Sequence, residues 1–292
     1  MHRLSRLLRP LVLLTCLVVS FVSVFAQGST VIEPCPATPA QKPVSVNAPT
    51  KIGSRASETI IDSSIADDTA VDQMLAPYSE KVRALSLVIG KTEGNLKKDP
   101  IGAGNLGNFV TNAMLREAKQ KSGRQIAFAI MNAGGLRKNE IAKGQLRASD
   151  IFELLPFENA LLLIDLSGAQ LLKIIQSGTR DAQAGARIQF RWNAQNRTEV
   201  IAAKLIDAQG ERDIDPNAVY SIVTIDYLYN LKSGTYGVLQ EAKNVQPLYV
   251  TLRDAVLNYV RAETAAGRSV PSQLDDRFVQ VGPGPAKPEE RP

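Results

Sequence analysis

The spacing of apolar residues lays out most of this chain's elements before any chemistry is considered. Behind Asp67 and Asp68, which can cap a helix, Val71, Met74, Leu75, Tyr78 and Val82 recur at helical spacing, with Pro77 expected to kink or shorten the helix. A strand is expected over 84–91. Leu106, Phe109, Val110, Ala113 and Met114 then mark one face of a helix over about 104–121. The run Ile126 to Met131 is apolar without alternation and too short for a helix, which predicts a strand covered on both faces. The segment 141–147 is short and fits more than one structure. Ser149 is expected to cap a brief helix that ends at Pro156, and Ala160 to Leu166 reads as an apolar strand. Ser167-Gly-Ala-Gln170 has the form of a capping box, and Leu171, Leu172, Ile174 and Ile175 give the helix it starts a buried face. Strands are expected over 187–192, 199–207 and 219–226, with a turn at Gln209-Gly210 between the last two. Helical periodicity returns over 248–265 through Leu252, Val256 and Val260, and Phe278 to Val281 supplies a last strand. Strands and helices interleave with several adjacent strand pairs. The expected fold class is therefore α+β, a mixed β-sheet with packed helices, rather than a regular doubly wound sheet.

Composition changes this picture mainly at the ends. The first 26 residues hold Arg3, Arg6 and Arg9, no acid, and an apolar run from Leu11 to Phe25 that closes on Val24-Phe25-Ala26. They read as a secretory signal peptide (1–26) with cleavage after Ala26, which implies export to the periplasm or the extracellular space. Two other readings fit less well: a retained anchor needs a longer apolar span, and a lipid-modified Cys16 would need the apolar run to precede it. Losing three arginines and no acid lowers the formal net charge from +5 to +2, so the basic balance belongs largely to the targeting segment and gives no reason to expect nucleic acid. Residues 27–57, rich in Pro, Ser, Thr, Ala and Lys, read as a flexible tether, and 283–292 as a disordered Pro-rich tail. Of 292 residues, 44% are hydrophobic, enough for a full core in one or two domains. Cys35 would be the one cysteine left after cleavage, so no internal disulfide is expected.

Candidate chemistry concentrates where the apolar run 126–131 gives way to Asn132-Ala-Gly-Gly-Leu-Arg137. Paired glycines let a backbone approach a ligand, Asn132 offers a donor and acceptors, and Arg137 offers a planar fork for a carboxylate, a phosphate or a sugar edge. A tight turn with a solvated arginine fits the same six residues. The lone histidine, His2, lies in the signal. Without imidazole, no histidine-based metal site and no serine or cysteine nucleophile with its usual base is expected. No catalytic residue and no metal ligand is assigned, and hydrolysis by carboxylates alone ranks last, since no paired acids stand in a recognisable arrangement.

Taken in order, Asn105-Leu-Gly-Asn108, Asn132-Ala-Gly-Gly-Leu-Arg137, Leu155-Pro-Phe-Glu-Asn159, Asp165-Leu-Ser-Gly168, Asp215-Pro216 and Thr224-Ile-Asp-Tyr-Leu228 resemble the C-terminal domain of the 5'-nucleotidase and UDP-sugar hydrolase family, over residues 58–282. The resemblance implies a division of labour. In the family a metallophosphoesterase domain holds two metal ions and hydrolyses the phosphate ester, while the C-terminal domain grips base and sugar. It further implies that Phe157 and Tyr227 sandwich a nucleobase, that Asn159 contacts the base, and that Asn132 and Arg137 meet the sugar-phosphate side. Both aromatics also fit a core role, Asn159 also fits a turn cap, and Asp226 fits a solvated or salt-bridged carboxylate. Two departures stand out. Lys232-Ser-Gly-Thr-Tyr236 lies where the family has Gly-Gly-Asp-Gly-Tyr, so the ribose-binding aspartate is absent, with Ser233 or Thr235 as weaker substitutes. Pro100 lies near the place of a family arginine, although Lys97 and Lys98 are close by.

The chain is accordingly expected to be an exported recognition domain for a nucleoside or nucleotide. It would be the substrate-binding half of a split nucleotidase whose divalent metals reside in a separate metallophosphoesterase, with no cofactor of its own and no membrane span after signal removal. The alternative is a non-catalytic periplasmic nucleoside- or nucleotide-binding module, a pseudoenzyme.

Overall fold

Strands whose residues are apolar on both faces form the core sheet, and most of the helices pack against it. The computed structural model describes Glu58 and residues 60–286; the expected signal peptide, the tether, Cys35 and residues 287–292 of the tail lie outside the described residues. The chain divides after Ile65, and the architecture belongs to the second unit, Ala66–Pro292. In chain order it comprises α1 (Thr69–Leu85), β1 (Val88–Thr92), β2 (Leu96–Lys97), α2 (Gly104–Ser122), β3 (Phe128–Met131), β4 (Glu140–Ile141), β5 (Gly144–Arg147), α3 (Ala148–Leu154), β6 (Ala160–Ser167), α4 (Gly168–Gln176), β7 (Ala182–Ala184) and β8 (Ala186–Trp192). There follow β9 (Thr198–Asp207), β10 (Gly210–Asp213), β11 (Val219–Ile225), α5 (Asp226–Tyr229), β12 (Lys243–Thr251), α6 (Leu252–Ala265) and β13 (Phe278–Gln280), with single 3-10 segments at Ala133–Gly135 and Gly234–Glu241. Among the described residues no helix is long and apolar enough to cross a membrane.

The central sheet has five strands in the order β12-β6-β11-β3-β7, and all its pairings are antiparallel except β11 with β3. A second sheet, β10-β9-β8-β13, pairs β13 parallel to β8, and β1-β5 and β2-β4 form two short ribbons. This is the mixed-sheet α+β architecture that the interleaved pattern predicts. All four residues of β3 are buried, as its unbroken apolar run requires, and Leu161, Leu163 and Ile164 of β6 are fully enclosed.

Four local readings change. Helix α1 runs through Pro77 to Leu85 without being cut short, so the strand expected from residue 84 begins at Val88. Helix α3 is capped at Arg147 rather than Ser149, because the Asp150 carboxylate reaches back to accept from the Arg147 N–H at 2.8 Å. The turn near Gln209-Gly210 closes a hairpin onto β10, an extra strand, instead of leading directly to β11. Residues 248–251 belong to β12, since its pairing with β6 outweighs a helical spacing that α6 takes up only from Leu252.

The capping box at Ser167 is present in full: the Ser167 N–H donates to Gln170 Oε1 at 2.8 Å and the Gln170 N–H donates to Ser167 Oγ at 3.3 Å. Two of the motifs meet there. The N–H groups of Gly168 and Ala169 donate to the carbonyls of Ala218 and Pro216, and a Cβ on Gly168 would lie 2.0 Å from the Asp215 carbonyl oxygen. Gly168 is thus fixed by contact between two backbones. Beside it, the buried Asp165 accepts from Arg124 at 2.8 and 3.0 Å, from Ser221 at 2.7 Å and from Asn244 at 2.9 Å, tying together β6, β11, β12 and the segment after α2. The Asn105 side chain likewise holds the start of α2 to the Asn95 and Ser272 carbonyls. Arg277, also buried, holds β13 to α2 and β7 through Asn112, Thr111 and the Gln183 carbonyl.

Two outcomes follow from this packing. Gly168→Ala forces two backbones apart and should lower stability by roughly 1 to 3 kcal/mol in urea unfolding; an unchanged midpoint would show that the contact is slack. Burial works against ionising Asp165, but hydrogen bonds from Asn244, Ser221 and Arg124 prevail and hold its carboxyl below the usual carboxylate range. A depressed folded value stabilises the protein above the unfolded value of about 3.9, and that contribution is lost as pH falls through the folded value. Asp165→Asn should therefore destabilise at neutral pH by about 2 kcal/mol and flatten the acid limb of Tm against pH below about 4. An acid limb as steep as that of the parent would refute the assignment.

Candidate functional site

Strand register decides which loops share an end of the central sheet. Ile225 of β11 pairs with Leu161 of β6, Val223 with Ala129 of the parallel β3, and Met131 of β3 with Ala182 of β7. Strands β3 and β11 therefore finish where β6 and β7 begin. Asn132–Arg137, Asp226–Tyr227, Phe157–Asn159 and Asp181 emerge together at that end, and the Thr251–Ala160 pairing brings the start of α6 to it as well. Residues far apart in sequence are gathered by hydrogen-bond register alone.

The Asn132 turn is built around its own side chain. Neither Gly134 nor Gly135 has a positive φ. A Cβ on Gly134 would lie 3.3 Å from Asn132 Nδ2, and one on Gly135 would lie 3.0 Å from Met131 Cε. The glycine pair makes room for the asparagine amide and the methionine beneath it, a different use from the ligand approach expected of it. Asn132 Oδ1 is buried and has no hydrogen-bond partner among the described residues, an arrangement that costs roughly 1 to 3 kcal/mol. Arg137 is exposed, its N–H donates to the Leu154 carbonyl at 2.8 Å, and its guanidinium carbon lies 5.9 Å from the centroid of the Phe157 ring. The fold thus places Arg137 against Phe157.

Phe157 is 46% exposed and Tyr227 50%, so neither is a core aromatic. Both present ring surface to solvent at the gathered end. The Asn159 carbonyl accepts from the Leu252 N–H at 2.8 Å, which leaves its half-buried side chain outside the backbone bonding. Asp226 opens α5, where its carboxylate accepts from the Tyr227 N–H at 2.7 Å, a favourable place for a negative charge.

Three further residues hold this end together. Arg253, 7% exposed, donates through Nε to the Leu155 carbonyl at 2.8 Å and through one terminal nitrogen to the Pro156 and Phe157 carbonyls at 2.9 and 3.3 Å. Its other terminal nitrogen meets Glu158 Oε1 at 2.7 Å, and its guanidinium sits 4.5 Å from the Phe152 ring. One buried fork thus clasps four successive residues of the loop that presents Phe157. Its partners lie 95 to 98 residues away in sequence, so no local pattern signals it. Asp181 accepts from the Ala133 N–H at 3.0 Å through one oxygen and from the Tyr236 hydroxyl through the other, joining the Asn132 turn to the Lys232–Tyr236 loop. Burial, reinforced by the Asp181 charge, pushes the Tyr236 phenol well above its ordinary range, so it stays protonated as the donor. The tyrosine was visible in the sequence; its carboxylate partner was not. Among the described residues no group of three or more His, Cys, Asp or Glu side chains is placed to hold a metal ion.

Residues 88–241 match the family model described as the 5'-nucleotidase, C-terminal domain. The chain belongs to this family. The 5'-nucleotidase of Vibrio vulnificus (strain CMCP6) is 30% identical over 154 residues, which span 51% of this chain and 27% of that protein. The trifunctional nucleotide phosphoesterase protein YfkN of Bacillus subtilis (strain 168) is 29% identical over 154 residues, 49% of this chain and 10% of its own length. The chain thus spans about a quarter or less of these two curated relatives. Among solved structures, the 5'-nucleotidase precursor from Thermus thermophilus superposes with a TM-score of 0.60 at 23% identity, over 74% of this chain and 44% of that one. The Haemophilus influenzae NAD nucleotidase does so at 0.56 and 17%, over 74% and 42%. At these identities the likeness is one of fold. In this 5'-nucleotidase C-terminal domain, Asn105, Asp165, Gly168 and Asp215-Pro216 are occupied within the fold, whereas Arg137, Phe157 and Tyr227 face outward.

The Arg253 clasp yields a direct test. Arg253→Lys keeps the charge but loses the fork, and amide hydrogen exchange at residues 157–159 should quicken at least tenfold while the β6 and β11 cores stay protected. Unchanged exchange in that loop would show that it holds itself.

Proposed function

We propose that this chain is an exported nucleoside- or nucleotide-recognition domain, the substrate-binding half of a nucleotidase that acts with a separate metallophosphoesterase in phosphate-ester hydrolysis. The observation that carries the reading is the convergence, in a 5'-nucleotidase C-terminal domain, of two half-exposed aromatic rings with Asn132, Arg137 and Asn159 at one end of the central sheet. Flat rings hold a base with little preference for its identity, each stack contributing roughly 1 to 3 kcal/mol. Phe157 and Tyr227 supply the two faces. Asn159 offers both a donor and an acceptor to a base edge, and Arg137 a fork to the sugar-phosphate side. The described residues do not fit a two-metal centre, so in this reading the chain binds and orients its ligand and the divalent metals belong to the partner. The apolar N-terminal run with three arginines supports export.

A second reading, a non-catalytic binding module, is favoured by the Lys232–Tyr236 loop, which carries no carboxylate and is committed through Tyr236 to Asp181.

Calorimetry on the isolated chain with adenosine, AMP and UDP-glucose should show binding of at least one, weakened tenfold or more by Phe157→Ala and by Tyr227→Ala. Adding a metallophosphoesterase from the same cell should raise phosphate release from AMP. Binding without such a gain selects the binding module; binding that neither substitution weakens, or none at all, rejects both readings.

A further inference from the structure

Beside the sheet end that carries the Asn132 turn lies a cleft of about 590 Å³, bounded by residues 100–101, 177–181, the connection from β8 to β9, and Thr235 with Tyr236. Its size is that of a small-molecule site. None of Asn132, Arg137, Phe157, Asn159 and Tyr227 lines it. Its walls are tied to one another: Thr179 Oγ1 and Thr198 Oγ1 are 3.0 Å apart, and Asp181 binds Tyr236.

The charge of the lining is unusual for this molecule. Apart from Arg83 and Arg261, every arginine among the described residues outside the cleft engages a carboxylate, a carbonyl, a hydroxyl or an aromatic ring. Arg180 and Arg197 engage none among the described residues, and both line this cleft. Asp181 is the one acid in the lining, and its two oxygens are taken by the Ala133 N–H and the Tyr236 hydroxyl, so it pairs with neither guanidinium. Two forks suited to oxyanions therefore share one recess. The third feature is a flat wall. Trp192 is half-buried, with its indole N–H donating to Gln280 Oε1 at 3.1 Å and its ring edge-on to Phe190 at 6.4 Å, so it is held in place before any ligand arrives.

We propose that this cleft is a second binding site, one for a phosphorylated small molecule, with Arg180 and Arg197 on the phosphoryl oxygens and Trp192 against the remainder. None of Asn132, Arg137, Phe157, Asn159 and Tyr227 lines the cleft, although Pro100 and Thr235, which stand near positions the family uses for the sugar-phosphate side, do; the arginine variants and Phe157→Ala therefore separate this proposal from the base-stacking reading. Trp192 is the chain's sole tryptophan, which makes its emission a direct reporter of the cleft.

The test is a fluorescence titration of the full chain at low ionic strength with AMP, adenosine and inorganic phosphate, run on the parent, the Arg180→Ala/Arg197→Ala double variant and Phe157→Ala. Both arginines are exposed and free of partners among the described residues, so the double variant should fold normally, as circular dichroism can verify. The Trp192 response to AMP should saturate, weaken at least tenfold in the double variant, and be unchanged in Phe157→Ala. Adenosine should leave the emission unmoved. A saturable response to inorganic phosphate assigns the site to the phosphoryl group itself, and a response to AMP alone assigns it to a phosphate carried on a larger molecule. No saturable response to AMP or phosphate, one that adenosine reproduces, or one that survives loss of both arginines would overturn the proposal. Calorimetric binding of adenosine that Phe157→Ala abolishes would leave the base-stacking site standing in each of those cases.

Discussion

Strand β11 pairs with two neighbours of opposite direction, and the position of every loop at the candidate site follows from that. Antiparallel to β6 and parallel to β3, β11 sets the finish of two strands beside the start of a third, and the loops that leave them emerge together. A slip of one residue in the β6–β11 register would turn every side chain of those strands to the opposite face and pull Asn159 and Tyr227 out of alignment. Residues 161–166 of β6 and 222–225 of β11 are buried on both faces, and the directional restraint comes from Asp165, which a slip would take away from Arg124, Ser221 and Asn244. The rigidity of the candidate site is thus borrowed from the sheet beneath it.

On that base, buried polar groups fix what hydrophobic packing leaves loose. Apolar contacts carry no direction, whereas a guanidinium with several carbonyl partners holds a loop in one path. Arg253 does this for the Leu155–Glu158 loop, Asp181 for the Asn132 turn and the Tyr236 loop, and Arg277 for the return of the chain to α2. Arg253 and Arg277 are buried and Asp181 is half-buried, and each is well bonded, so its desolvation is offset locally. The exposed groups at the same end, Arg137, Phe157 and Tyr227, are left with unused bonding or stacking surface, which is what a ligand needs.

The division between holding and binding also runs through the family motifs. Asn105, Asp165, Gly168 and Asp215-Pro216 are explained within the fold, by side-chain bonds to remote backbone or by the contact of one backbone on another. Such residues speak to architecture. Asn132 stands between the two groups: its amide is enclosed by a glycine turn, yet one oxygen there has no partner among the described residues.

The mixed-sheet class, the buried character of β3 and β6, the capping box at Ser167, and the family, through the order of its motifs, could all be read from residue order. These are properties of neighbouring residues, and periodicity and spacing record them directly. The folded chain was needed to show that Phe157 and Tyr227 are half-exposed rather than core, that the Gly134-Gly135 pair serves the Asn132 side chain, and that β12 replaces the first turn of a helix. It alone brought Arg253 to the Phe157 loop, Asp181 to Tyr236, and Arg180 and Arg197 into one cleft. Burial, strand pairing and the partners of a charged fork depend on which distant segments meet, and a local pattern of residues holds no record of those meetings.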